Sequence, residues 1–160
     1  MDYKDIEGKA NELTKVYSEP PVPVYEIARL KGVAVYEAEF RERVKDCHGF
    51  CDFVDDAIYL NKASSPIQQI FTAAHELGHW VLHGPEYKRK NKRFAFLPKV
   101  SPIAFDTGIQ EEDEANFFAS RLLVPRSLLQ PYLSRDNSIA ALAKEFKVFR
   151  AVMEMRVRGE

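Results

Sequence analysis

The sequence predicts an α+β fold: a short antiparallel sheet, one long helix after it, and capped helices towards the end. Three observations carry this. Two apolar runs, Gly49 to Val54 and Ala57 to Leu60, flank Asp55-Asp56 and read as a hairpin. A 3.6-residue apolar period follows, with Ile67, Ile70, Phe71, Ala74, Leu77, Gly78, Val81 and Leu82 on one broad arc. Helix start and stop signals then recur after Thr107 and after Ser138. The chain has 160 residues, 46% hydrophobic and 29% charged, which suits one globular domain with a sizeable core. Within a single domain 1–160 we expect a helical flank and linker at 1–23, a core at 24–125 and a helical appendage at 126–160.

In chain order, residues 2–17 carry a weak amphipathic helical pattern, and Glu19-Pro20-Pro21-Val22-Pro23 is a stiff connector. Val24 to Leu30 reads as a short helix that Lys31-Gly32 stops. Val33 to Ala38 alternates like a strand. The hairpin follows, and its second run, Ala57 to Asn61, is a candidate edge strand for an extended peptide. Ser65-Pro66-Ile67-Gln68 is a capping box with proline at the first helical position, and Gly84-Pro85 is a stop. The long helix should therefore run from about Pro66 to about His83. Residues 84–106 read as a long basic and aromatic loop with the run Lys88-Arg89-Lys90-Asn91-Lys92-Arg93. Thr107-Gly108-Ile109-Gln110 is a second capping box, so a helix should span about 109–123, with Pro125 beyond it. Ser138 to Phe146 is a capped amphipathic helix, Lys147-Val148 a turn, and Phe149 to Val157 a last helix.

Several function classes are disfavoured. The net charge of −1 predicts no broad nucleic-acid footprint. No run is long and apolar enough to span a membrane. Met1-Asp2-Tyr3-Lys4-Asp5 lacks the basic start of a signal peptide, so a cytoplasmic location is expected. Cys47 and Cys51 lack a second Cys/His pair for a structural metal and are expected to be buried or half-buried thiols.

The long helix carries chemistry. His75-Glu76-Leu77-Gly78-His79 is H-E-x-x-H. Histidines four apart on a helix project from one face and can hold one small cation together. The glutamate beside the first is rotated by roughly 100°, where it can take a proton from water. A catalytic zinc needs a third protein ligand and an open position. The acidic start of the next helix, Glu111-Glu112-Asp113-Glu114, offers one; most of those charges simply complement the helix dipole.

His-Glu-Leu-Gly-His-Trp-Val-Leu-His, followed by Glu-Asp-Glu-Ala-Asn-Phe-Phe-Ala-Ser-Arg-Leu-Leu-Val-Pro, resembles the ImmA/IrrE family of metallopeptidases. Asn61 ahead of the helix and Phe71-Thr72-Ala73-Ala74 leading into the motif match as well, and the resemblance covers roughly residues 20–157. It implies a zincin-like fold, with the small antiparallel sheet packed on the H-E-x-x-H helix. It also implies Zn²⁺ held by His75, His79 and a glutamate of the second helix. That glutamate maps to Glu112, with Asn116 one turn later placed to hydrogen-bond a ligating histidine. Glu114 is the alternative; it falls on another face, where a solvated ion pair is the simpler role.

The resemblance implies peptide hydrolysis with Glu76 as general base, His83 or Tyr87 being candidates to stabilise the oxyanion. His83 has the competing role of complementing the helix C-terminus. The implied substrate is a helix-turn-helix repressor of a phage or mobile element. Two other classes stay open. One is an antirepressor that binds without cleaving, although such a protein has no need of Glu76. The other is a DNA-binding regulator, because Ser138 to Val157 has the outline of a helix-turn-helix. Phe149 at the second helix's N-cap and the mixed charge of that helix argue against it.

Overall fold

A computed structural model describes residues 1–41, 44–94, 107–134 and 138–159. The chain order is α1 (Tyr3–Thr14), α2 (Val24–Leu30), β1 (Ala34–Ala38), β2 (Gly49–Asp52), β3 (Ala57–Asn61), α3 (Pro66–Leu82), α4 (Gly84–Arg89), α5 (Gln110–Leu123), α6 (Arg126–Leu133), α7 (Ile139–Phe146) and α8 (Arg150–Arg158). This is the expected α+β architecture.

The hairpin forms where the sequence places it. β2 and β3 pair antiparallel, with Phe50 opposite Tyr59 and Cys51 opposite Ile58. Asp56 closes the turn at φ +47°, a conformation Asp tolerates better than most residues. The sheet as a whole is mixed, however, because β1 joins β3 in parallel and the order is β1-β3-β2. Two corrections follow: the sheet is not wholly antiparallel, and β3 is the central strand, not an edge. Its burial agrees with that place, since Ala57, Ile58, Leu60 and Asn61 are all buried. Alternation within a strand fixes which face is apolar but not which neighbour it takes.

α3 is the centre of the molecule. Ser65 caps it by accepting from the Gln68 amide, with Pro66 in its first turn. It is packed by α5, β2, β3, α2 and α4. Leu77 and Phe71 join Phe118, Ala119 and Leu122 of α5 in one core, and a side chain of that size stabilises by about 1.5–3 kcal/mol when fully buried. Even the polar stripe Gln68, Thr72 and Glu76 is buried. It faces β2, which comes so close that a Cβ on Gly49 would lie 2.5 Å from Thr72 Cγ2.

Gly84-Pro85 ends α3 as expected, but the residues after it are not loop. Pro85 sits in the first turn of α4, where its fixed φ and missing N–H suit a helix start, so one dipeptide both stops and restarts the helix. The end of the basic run is tied to the hairpin. Arg93 pairs with Asp52 and Asp55, and Phe94 makes an antiparallel bridge to Asp52. Residues 95–106 of the expected loop lie outside the described residues.

The second capping box is also shifted. Ile109 is the N-cap of α5 and has no side-chain cap. Asp113 reaches back instead, accepting from the Thr107 amide and hydroxyl, both at 2.8 Å. The N-terminal segment is not peripheral. Ile6 and Ala10 are fully buried, α1 packs along α5, and Glu7 lies beside the buried Arg121 and Arg156. α7 and α8 match their expected spans, with Ser138 capping the first and Lys147 left-handed at φ 53° between them. No helix of the described residues is long and apolar enough to cross a membrane.

Candidate metal centre

α3 and α5 lie side by side, and their polar positions meet at one point. His75 and His79 face α5 from consecutive turns of α3. Glu112, in the first turn of α5, reaches both: Oε2 is 3.2 Å from His75 Nε2 and Oε1 is 3.3 Å from His79 Nε2. The two Nε2 atoms are 3.0 Å apart. All three side chains are buried, and among the described residues they form the one group of this kind able to hold a metal ion.

The donor set fits a small divalent cation. Donors at 2.0–2.1 Å around a tetrahedral centre lie about 3.3 Å apart; the two imidazole nitrogens at 3.0 Å, and each nitrogen's distance to its own Glu112 oxygen, 3.2 and 3.3 Å, are close to that, with the carboxylate straddling the pair. Asn116 Oδ1 sits 2.8 Å from His75 Nδ1. An amide oxygen only accepts, so Nδ1 carries the proton and the Nε2 lone pair is left for the centre. His79 Nδ1 has no partner among the described residues, so this ring is held by Glu112 at its Nε2 edge and by packing elsewhere. Two imidazole lone pairs 3.0 Å apart repel unless a cation or a proton lies between them.

Electrostatics divides the carboxylates. Burial would raise the Glu112 pKa, but hydrogen bonds and charge from His75 and His79 prevail and hold it down at about 2. Burial lowers His79 to about 4, only partly offset by Glu112. For His75 burial also lowers, yet the Glu112 hydrogen bond and the Glu76 and Glu112 charges leave it raised. Glu76 has the opposite fate from Glu112. It is fully buried, neither carboxylate oxygen makes a well-formed hydrogen bond among the described residues, and burial outweighs the opposing pull of His75 and the nearby Cys51 amide and raises its pKa to about 7. A carboxylate with a pKa near neutrality can accept and return a proton.

The alternative acid is elsewhere. Glu114 is buried too, so the solvated ion pair expected for it is not found. It accepts from Gln110 at 2.9 Å and from the Met1 ammonium, and lies 3.7 Å from His83. Nor do the two oxyanion candidates keep the donors that role requires. The Tyr87 hydroxyl donates to the Glu111 carboxylate, and His83 Nε2 lies 3.3 Å from the Glu111 carbonyl oxygen. Both hold the first turn of α5. Cys51 is buried beside Glu76, Cys47 is half-buried, and both are free thiols.

One participant escaped the sequence reading. A Cβ on Gly78 would meet Phe118 Cδ1 at 3.0 Å, the Ala115 carbonyl oxygen at 3.2 Å and Ala115 Cα at 3.3 Å. Glycine inside a helix costs about 1 kcal/mol against alanine, and that mismatch was the available signal of a close approach.

A family model described as the IrrE N-terminal-like domain, of the M78 peptidases, matches residues 28–158. Among solved structures, a Mycobacterium tuberculosis transcriptional regulator is similar with a TM-score of 0.67 and 16% identity. The match covers 96% of this chain but 55% of that one, and at such identity it bears on the fold alone. No curated protein sequence matches.

Proposed function

Because the chain belongs to the IrrE N-terminal-like family of M78 peptidases, we propose that it is a zinc-dependent endopeptidase that cleaves a helix-turn-helix repressor of a phage or mobile element. The observation that carries this reading is Glu76: a buried carboxylate whose oxygens make no well-formed hydrogen bond among the described residues, next to a buried two-histidine, one-carboxylate cluster. A fold that only had to bind a partner gains nothing from that costly arrangement.

His75, His79 and Glu112 would hold the metal, and Asn116 fixes the His75 ring. A Zn²⁺ held there would supply Lewis acidity to a scissile carbonyl and to water. Glu76 takes the proton of the attacking water and passes it to the leaving amine. β2, the strand beside Glu76, replaces β3 as the edge for an extended substrate. Phe94 already occupies the Asp52 end of that edge, so pairing is confined to the stretch near Gly49 and Cys51. Glu76 and His79 are fully shielded, which suits an enzyme that is quiet until signalled.

A repressor as substrate is favoured by the family. Direct DNA binding by α7 and α8 has little to support it. Arg150 is paired with Glu154, and the buried Arg156 donates to the Val124 carbonyl at 3.0 Å.

The test incubates zinc-loaded wild type and Glu76→Gln with the helix-turn-helix repressor encoded beside the gene. Wild type should give a defined fragment pair. Glu76→Gln should keep its metal and lose cleavage by roughly 10²–10⁴-fold, the usual contribution of a general base. Derepression by both proteins, with the repressor intact, would mean a non-cleaving antirepressor. Because quiescence is expected, the assay is repeated in cells after DNA damage.

A further inference from the structure

We propose that Gly78 is a positioning residue of the metal centre, and that its missing side chain sets the size of the donor triangle and so its preference for a small cation. The inference rests on the metal-centre reading above.

The two helices supply different corners of the triangle. His75 and His79 come from α3 and Glu112 from α5, so the distances from His75 to Glu112 Oε2, 3.2 Å, and from His79 to Glu112 Oε1, 3.3 Å, depend on how far apart the helices lie. The Nε2–Nε2 edge of 3.0 Å does not, because both its ends belong to α3. Gly78 stands at a close approach of the two helices. It lies between the two histidines in sequence, and its absent Cβ would face Ala115, three residues from Glu112 and next to Asn116.

Of the three atoms a Cβ would crowd, only one has room to give. Phe118 Cδ1 at 3.0 Å belongs to a ring that could tilt, although Phe118 is itself fully buried. The Ala115 carbonyl oxygen and Cα at 3.2 and 3.3 Å are backbone, and they move only if α5 moves. A methyl group at position 78 therefore pushes α5 outward by tenths of an ångström. The shift lengthens both Glu112 edges and lets the His75–Asn116 hydrogen bond stretch. Ligand distances to zinc tolerate only about ±0.2 Å, so the same displacement that barely disturbs a core is large for the site.

A purely structural glycine and a positioning glycine make different predictions. Loss of packing alone lowers stability and weakens all metals together. An opened triangle penalises the small cation and spares a larger one. The experiment measures Zn²⁺ and Cd²⁺ dissociation constants, and the visible absorption of the Co²⁺ form, for wild type, Gly78→Ala and a control, Leu123→Ala. Leu123 is buried near the far end of α5 and touches no proposed ligand, so its truncation reports on stability without the geometry.

Gly78→Ala should weaken Zn²⁺ by roughly 10–100-fold, the range seen when the support of a ligand is lost, with a much smaller effect on Cd²⁺. Its Co²⁺ spectrum should lose intensity as tetrahedral symmetry is lost. Leu123→Ala should keep the wild-type Zn²⁺/Cd²⁺ ratio. Should Gly78→Ala fail to fold, Gly78→Ala/Phe118→Leu removes the ring contact, retains the two backbone contacts, and should show the same change of ratio. An unchanged ratio and an unchanged Co²⁺ spectrum in the folded variant overturn the proposal. Failure of wild type to bind any of the three metals would instead overturn the metal-centre reading beneath it.

Discussion

Two carboxylates in adjoining elements have opposite electrostatic fates, and their neighbours decide which. Glu112 has two imidazoles at hydrogen-bond range and stays charged, whereas for Glu76 burial outweighs its neighbours and raises the pKa to about 7. A third acid, Asp52, shows the same balance in the hairpin. It is buried, which alone would raise its pKa, but Arg93 and the amides of Val54 and Asp55 bring it below the ordinary 3.8. The folded pKa is thus below the unfolded one. Its stabilisation is complete above about pH 4 and is lost as pH falls through the folded value. Asp52→Asn should therefore flatten the acid limb of a stability-versus-pH curve below pH 4 and reduce stability at pH 7; a parallel curve with the same acid limb would refute the pairing. At this scale the motif residues were legible because H-E-x-x-H is local and helix geometry does the rest. Glu114 was not. Its partners, the Met1 ammonium and His83, come from distant segments, and no window of sequence joins them.

Elements were legible where their signals are local, and less so where two signals compete. Ser65 and Ser138 cap as the sequence indicates, and the hairpin turns at Asp55-Asp56. The box at Thr107 misled by position. Its threonine faces Asp113 and not Gln110, because Gly108 at φ +73° redirects the chain before α5 begins. This link to Thr107 holds the turn that carries Glu112. Asp113→Ala should cost about 1 kcal/mol, the net worth of a side-chain hydrogen bond, and fray that turn. Urea unfolding of the metal-free protein checks the first effect and zinc titration the second; an unchanged zinc affinity would show that the turn stays ordered without that link. Strand order was beyond the sequence for another reason. β1 and β2 both have apolar residues to pair, and the order β1-β3-β2 goes with long-range packing, β2 and β3 against α3 and β1 against α2, that no window of sequence displays.

For the whole molecule, the metal centre ties together parts that the chain supplies separately. α3 and α5 share a core, α1 closes over α5, and the donor triangle crosses the α3–α5 boundary. A ligand that binds only the folded state stabilises it by about 4.1 kcal/mol at a thousand times its dissociation constant. In a domain of about this size each kcal/mol moves the melting temperature by roughly 2–4 °C. Zinc at that excess should raise the melting temperature by about 8–16 °C. A chelator should reverse it, and Glu112→Gln should abolish most of it. A shift that survives in Glu112→Gln would place the cation elsewhere.

The pairing of α1 with α5 also fixes an order of events. Thr14 ends the first helix and Gln110 begins its partner, so about a hundred residues are made between them. At the usual pace of about 5–20 residues per second, α1 emerges roughly 5–20 s before it has anything to pack against. Ile6 and Ala10, fully shielded in the finished protein, stay bare for that interval. The two histidines likewise leave the ribosome ahead of Glu112, so the nascent chain passes through a stage with only two of its three donors. Assembly of the three donors into one cluster thereby waits for the docking of α5, whose own partner α1 was made well before it.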